Sequence, residues 1–357
     1  IFSNVKVLPI LYKLSLISSA ILATTLIVGC GDKAPKTAPD VAIKEANAKF
    51  LDQSFNYTGN VATNVVYDET ALVGTAGGLS QELADEELSM AEDLTDPSGK
   101  EMIETLKKTK LSFHGAYDKG LSKSEIIINS EINQGGMSIA IEIPMAIDYT
   151  SQPTLFVDPK AAKAFGVLPP EFDNKLIRLS VNDFPELSEK HKANFAKDGI
   201  VLKKLKEFST KQLDKVDATL FKDIDVSAED KAAGVTRSIK LVMTPELSRK
   251  VLDESIDSFL DDVLPSFDVP AEEIADAKQE FKSANQFEAF YGNNETVYGL
   301  DDKGNIIKMV SKQSLKGAKH VADFTVTVNV KDFGKPVFTI DTTRESIGID
   351  QLAALGM

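Results

Sequence analysis

The feature that most constrains this chain is the run from Met137 to Tyr149. Its odd positions are Met137, Ile139, Ile141, Ile143, Met145, Ile147 and Tyr149, and its even positions are Ser138, Ala140, Glu142, Pro144, Ala146 and Asp148. Successive side chains of an extended strand point to opposite faces, so this pattern is one β-strand with an apolar face and a mostly polar face. Ser124 to Ile132, the loop Asn133-Gln134-Gly135-Gly136 and this run together predict a β-hairpin. Pro144 has no amide hydrogen to donate, which points to an edge position or a bulge.

The same period returns near the C-terminus. Phe324, Val326, Val328 and Val330 share one face of the stretch Val321 to Val330. Glu295 to Leu300 and Ile306 to Gln313 flank Asp301-Asp302-Lys303-Gly304-Asn305, a turn in which Gly304 is free to take positive φ. Phe55 to Tyr67, Pro153 to Val157, Lys175 to Asn182, Thr236 to Thr244 and Pro336 to Asp341 read as further strands. Helical spacing appears over 42–53, near 79–94, over 100–108, in a short stretch from Pro159, and over 186–196 and 202–216. It returns over 245–263 and over 271–290, where Ile274, Phe281 and Phe287 are the inward candidates. The expected class is therefore α+β: an antiparallel sheet of roughly eight to ten strands, interrupted by helices and covered on one face.

Residues 1–29 read as a targeting segment. Lys6 and Lys13 are its only charges, and an uncharged stretch runs from Leu14 to Gly29. That stretch is shorter than the ~20 apolar residues of a membrane-spanning helix. It ends in Ile27-Val28-Gly29-Cys30, which resembles the lipobox of bacterial lipoproteins. The resemblance implies cleavage before Cys30 and a lipid on its sulfur, which would hold the protein on a membrane outside the cytoplasm. Gly31 stands where an aspartate would favour inner-membrane retention, so a Gram-negative source implies the periplasmic face of the outer membrane. Residues 30–41, with Pro35 and Pro39, read as a tether, 42–341 as the folded domain with helical insertions, and 342–357 as a C-terminal tail. Cys30 is the single cysteine, so disulfides and thiolate metal sites are excluded.

A formal charge of −14 disfavours binding to nucleic acid and peripheral attraction to anionic lipid. An apolar content of 43% is that of a globular protein.

The strand pattern resembles the LolA-like group of exported proteins, including the LppX/LprG type of lipoprotein. The resembling residues are the hairpin at 124–149, the pair at 299–313 with its "LDDKGNIIK" turn, and "DFTVTVNVKDFGKPVFTID" at 323–341. The resemblance implies a curved, half-open antiparallel barrel whose helices cover the concave face around a cavity for acyl chains. The long helical segments at 79–108 and 245–290 and the absence of tryptophan depart from that group.

Residues able to carry chemistry are sparse. His114, His191 and His320 form no HxH or HExxH pair, and no GxSxG elbow exists. Gly74 to Gly78 lacks the lysine of a phosphate loop, and Glu82, Asp85, Glu86 and Glu87 follow it. Asp223-x-Asp225-x-Ser227 starts like a calcium loop without its glycine and closing glutamate. Asp261-Asp262, and the helix bearing Lys203, Lys204, Lys206, Lys211 and Lys215 among acids, read as solvated faces. No cofactor and no catalysis are expected.

Two roles remain. Met137, Ile139, Ile141, Ile143, Met145 and Ile147, with Phe324, Val326, Val328 and Val330, either line a pocket for a hydrophobic ligand such as lipid, or lie under helices as a closed core. In the second case the chain is an interaction lipoprotein that engages an envelope protein.

Overall fold

The computed structural model describes residues 37–67, 109–120, 122–134, 137–150, 153–164, 174–180, 200–263, 291–316 and 320–348. Residues 172, 183, 265, 271, 272, 274–276, 278 and 351 are described individually. The readings on 1–36, on the glycine loop at 74–78, on the helices at 79–108 and 186–196, and on Phe281 and Phe287 lie outside the described residues.

Twelve strands form one sheet: β1 (Phe55–Tyr67), β2 (Lys110–Asp118), β3 (Lys123–Gln134), β4 (Met137–Asp148), β5 (Thr154–Val157), β6 (Leu176–Ser180), β7 (Phe221–Ile224), β8 (Arg237–Met243), β9 (Tyr291–Leu300), β10 (Ile306–Lys316), β11 (His320–Lys331) and β12 (Ser346–Gly348). Their spatial order is β12-β6-β5-β4-β3-β2-β1-β11-β10-β9-β8-β7. Every ladder is antiparallel except β12 on β6, and the two end strands do not pair, so the sheet is open. Among the described residues the helices that accompany it include α1 (Pro39–Phe50), α2 (Lys160–Ala164), α3 (Ile200–Lys215), α4 (Ala228–Ala232) and α5 (Pro245–Ser258), the last running into a π-helical turn at Phe259–Val263.

The hairpin at the centre of the sequence reading is present as β3 and β4, in register from Lys123↔Asp148 to Gln134↔Met137. Its connection is tighter than read, with only 135 and 136 between the strands. Pro144 lies inside β4, yet its surroundings follow the proline logic. β5 covers β4 only over Met145 to Asp148. The Pro144 carbonyl accepts from the Asp158 amide at 2.9 Å, so its ring nitrogen points to that same side, where the β5 ladder has ended. The turn between β9 and β10 is as read, with Gly304 at φ 74°. The Asp301 carboxylate ties it by accepting from the amides of Lys303 at 2.9 Å and Asn305 at 2.7 Å.

Register assigns each strand position to a face. On one face lie Phe55, Tyr57 and Val61 of β1 with Val326, Val328 and Val330 of β11, Met309 of β10, Tyr298 of β9 and Ile239 and Leu241 of β8. Helix α1 packs here through Ala42, Ile43, Ala46 and Phe50, and α3 through Leu213, with Val216 just beyond its end, giving one continuous core. Pro39 opens α1 with a preset φ, and Asp40 in its first turn complements the helix dipole. Lys44 of α1 reaches Asp214 of α3 at 3.6 Å. Helix α5 joins the same layer, with Ser255 donating to Gln212 of α3 at 3.0 Å and Asn294 of β9 donating to Ser248 at 3.0 Å.

The opposite face holds a smaller core of Ala146, Leu176 and Ile340, with Phe156 packed against it. Here the structure differs from the strand expected over 336–341. That segment joins no ladder. It crosses the face as a strap from the end of β11 to β12. The Val337 amide donates to the Asn56 side chain of β1 at 2.8 Å. The amides of Thr339 and Ile340 and the Thr339 hydroxyl donate to the carboxylate of Glu125, at 2.7 to 3.0 Å. Arg344 then donates to Asp158 at 3.0 Å and to the Asn174 carbonyl at 3.0 Å. Within 342–357, Ser346–Gly348 adds a strand to the sheet.

Candidate functional site

The two faces carry different chemistry. Over the described strand side chains, the helix-bearing face holds two charged residues, Arg237 of β8 and Asp223 of β7. They pair with each other through a two-pronged contact at 2.7 and 3.0 Å, and Arg237 also donates to the Thr37 carbonyl at 2.8 Å. Asp223, which opens the stretch lacking the glycine and glutamate of a calcium loop, thus holds a guanidinium partner. The other face is studded with ion pairs: Lys110 with Glu131 at 3.3 Å, Glu295 between Lys240 and Lys312, and Lys308 with Asp230 at 2.6 Å. Those lysines hold the carboxyls of Glu295 and Asp230 below the usual carboxylate range. In a chain with 26% charged residues, a twelve-stranded face with one self-neutralising pair is a strong departure from average.

Among the described residues, helices cover only part of that face. Val326, Val328 and Val330 are buried beneath them, and Phe324 is half-buried. Across β1 and β2 the same rows continue into β3 and β4: Val328 aligns with Gly59, Phe113, Ile128 and Ile143, and Val326 with Val61, Leu111, Ser130 and Ile141. On β4 the cover thins. Ile139 and Ile143 are each 38% exposed, and Ile141, Met145 and Ile147 are half-buried. Met137 opens β4 opposite Gln134. The apolar character extends to half-buried Leu155 and Val157 of β5 and Ile177 and Leu179 of β6. The two stripes named from sequence thus lie on one face, one under helices and the other at its open part.

Sequence reasoning missed the connecting residues. Ile126-Ile127-Ile128 has no alternation to read, and the structure sends Ile126 and Ile128 to the charge-free face and Ile127 to the strap side, where it is buried. Phe113 was missed because Gly115 and the polar Ser112 and His114 surround it. Gly115 is required by packing: a Cβ there would collide with the Glu125 carbonyl and with the Tyr57 hydroxyl that donates to that carbonyl at 2.8 Å.

Nothing in the described residues assembles a reactive group. No cluster of three or more histidine, cysteine or acidic side chains suited to a metal occurs among them. His114 is exposed and within 3.3 Å of Asn129, His320 lies in β11, and His191 is outside the described residues. Asp261 pairs with Lys278 at 2.6 Å. On α3, Lys203, Glu207, Lys211, Asp214 and Lys215 are all exposed, as a solvated face requires. Ile274 is buried, as its helical spacing indicates. No helix among the described residues is long and apolar enough to cross a membrane.

No protein-family model matches the chain, and no curated protein matches it. Among solved structures it is similar to one described as "lipid-protein interactions in lipovitellin", with 7% identity and a TM-score of 0.22. The alignment covers 81% of this chain and 26% of that one, so the chain spans about a quarter of that protein's length. A likeness at that score carries no argument about fold or ligand.

Proposed function

We propose that this protein binds a hydrophobic, lipid-like ligand on the charge-free face of its sheet, without catalysis, while held by lipid on Cys30 at a membrane outside the cytoplasm. The observation that carries the reading is the exposure of Ile139 and Ile143 on a face whose rows run without a charged residue from β4 into the buried core. A sheet that faces water on one side alternates apolar with polar. Here the face at β3–β6 stays apolar, although among the described residues the buried core under the helices is drawn from β1, β2 and β7–β11. In this proposal the sheet is the half-open barrel of the LolA-like group, and the helix-bearing face is its concave side. Burial of each acyl methylene contributes ~0.8 kcal/mol, so a long chain is held by solvent exclusion alone.

The second reading is an interaction lipoprotein whose apolar face meets an envelope protein. The exposed isoleucines are compatible with it as well, because an uncovered apolar patch marks protein interfaces as readily as ligand grooves. Lipid extraction and mass spectrometry on a chain beginning at Gly31, purified without detergent, separates the two. Stoichiometric lipid is the expected result. A stable protein with no lipid, together with an envelope protein cross-linked to β4, overturns the ligand reading.

A further inference from the structure

The point at which the chain enters the folded domain is pinned. Arg237, the first residue of β8, donates to the Thr37 carbonyl at 2.8 Å while its guanidinium grips Asp223 of β7 at 2.7 and 3.0 Å. Two residues after Thr37, Pro39 opens α1, whose Ala42, Ile43, Ala46 and Phe50 are buried in the main core. Thr37 is thus held at the corner where β7 ends and β8 begins. It stands seven residues after Cys30. An extended chain spans at most ~3.5 Å per residue, so lipid on Cys30 would keep this corner within about 25 Å of the membrane surface. By contrast β4, with the open part of the charge-free face, lies seven strands from β8, ~34 Å along the sheet.

The corner carries apolar side chains of its own. Val41, in the first turn of α1, is 39% exposed, and Ile224, which follows Asp223 and ends β7, is 38% exposed. The connection through α4 adds the exposed small residues Ala228, Ala232 and Ala233. The charges around them largely offset one another. Arg237 engages Asp223, Lys308 lies 2.6 Å from Asp230 and 3.8 Å from Glu229, and Lys44 lies 3.9 Å from Asp40. The exposed Lys222 and Lys231 outweigh the exposed Asp225. In a chain of formal charge −14, this balance keeps repulsion from a phospholipid surface small at the corner.

We infer that this corner, with Val41 and Ile224 at its centre, is the surface on which the domain rests against the phospholipid of its anchoring membrane, while the exposed isoleucines of β4 stand away from that membrane. This rests on the proposed lipid on Cys30, which it extends from an attachment to an orientation. Two aliphatic side chains bury too little to hold a protein on a bilayer unaided. A short tether supplies a high local concentration, so they need only orient a domain that the lipid already holds.

The test uses the lipidated full chain in phosphatidylcholine vesicles containing a fraction of phosphatidylcholine with a nitroxide on its headgroup. Because lipid occupies the Cys30 sulfur, Val41→Cys, Ile224→Cys, Val242→Cys and Ile139→Cys each supply the one free thiol for a fluorophore. Position 242 is the near control, on β8 itself but five residues from Arg237, ~17 Å along the strand. The expected result is nitroxide quenching severalfold stronger at 41 and 224 than at 242 and 139. Ile224→Asp, with the fluorophore at 41, should lose most of that quenching, because a carboxylate resists leaving water. A corner that is merely tethered nearby would lose none of it. In protein that floats with the vesicles, equal quenching at all four positions, or quenching strongest at 242 or 139, overturns the docking corner and leaves the anchor standing. Unchanged quenching in the Ile224→Asp variant does the same. Failure of the chain to float with the vesicles overturns both.

Discussion

Glu125 carries a sharp prediction about how the sheet is held. Glu125 is 2% exposed, and its carboxylate sits on the strap face. Three donors of the strap converge on it: the Thr339 amide, the Thr339 hydroxyl at 2.8 Å and the Ile340 amide at 2.7 Å. Replacing Glu125 by alanine removes the acceptor of all three. Each orphaned buried donor costs about 1–3 kcal/mol, so a strap left in place would lose roughly 3–9 kcal/mol. The strap has another option, which is to peel away and hydrate its amides. The loss is then limited to the strap's own docking, including burial of Ile340 against Ala146 and Leu176, for which one large apolar side chain contributes about 1.5–3 kcal/mol. The expected destabilisation of Glu125→Ala in urea unfolding is therefore about 3 kcal/mol. Glu125→Gln, which keeps one acceptor oxygen but turns an NH2 toward the amides, should lose about half as much. Hydrogen exchange supplies the local signature: the amides of Thr339 and Ile340 should exchange much faster, with those of β8 to β10 unchanged. A loss below about 0.5 kcal/mol, with no change in exchange over 337–345, would refute the claim that Glu125 anchors the strap.

Other consequences follow from the same structure. Ile139→Ser with Ile143→Ser deletes the exposed 38% of each side chain as ligand contact, which is about 1–2 kcal/mol in total and weakens binding of a long-chain probe roughly tenfold; unchanged affinity in a fluorescence titration would exclude β4 from the site. The phenols of Tyr57, Tyr117, Tyr149 and Tyr298 are all raised, burial being the first cause. Because the folded state favours their neutral form, their contribution to stability is complete below ~pH 10 and is lost as pH rises toward the folded values. Phenolate absorbance should therefore appear in two stages, the second coinciding with unfolding above pH 10, and a single stage near pH 10 with the fold intact would contradict this. Arg237→Ala removes the two-pronged contact to Asp223 and the hydrogen bond to the Thr37 carbonyl, for an expected loss of about 1–2 kcal/mol; thermal unfolding indistinguishable from wild type would show that the pair contributes nothing.

How much of this was legible depended on local periodicity. β4 and β11 could be read because alternation is sustained over their length, and β9 and β10 because Gly304 marks their turn. β2 escaped because its inward residues are Phe113, Gly115 and Tyr117, where a glycine demanded by cross-strand packing interrupts the apolar pattern. β7 and β12 are four and three residues long, too short for any period to declare itself. The extended segment at 336–341 has strand-like composition, yet its amides are committed to side chains of Asn56 and Glu125 rather than to a neighbouring strand. That choice is made by residues more than two hundred positions away, which no local pattern contains. The candidate site was half legible for the same reason: each stripe is visible alone, but only the register through β1, β2 and β3 shows that both belong to one face.

The most direct measurement of ligand contact exploits the absence of tryptophan from the sequence. A single Ile143→Trp places a reporter on the charge-free face at a position 38% exposed, and Val242→Trp places one on the opposite face at 39%. Both are titrated with an acylglycerol brominated along its chain, which quenches indole fluorescence on contact. The account predicts saturable quenching at 143 and none at 242. Equal quenching at both positions, or none at 143, would contradict it.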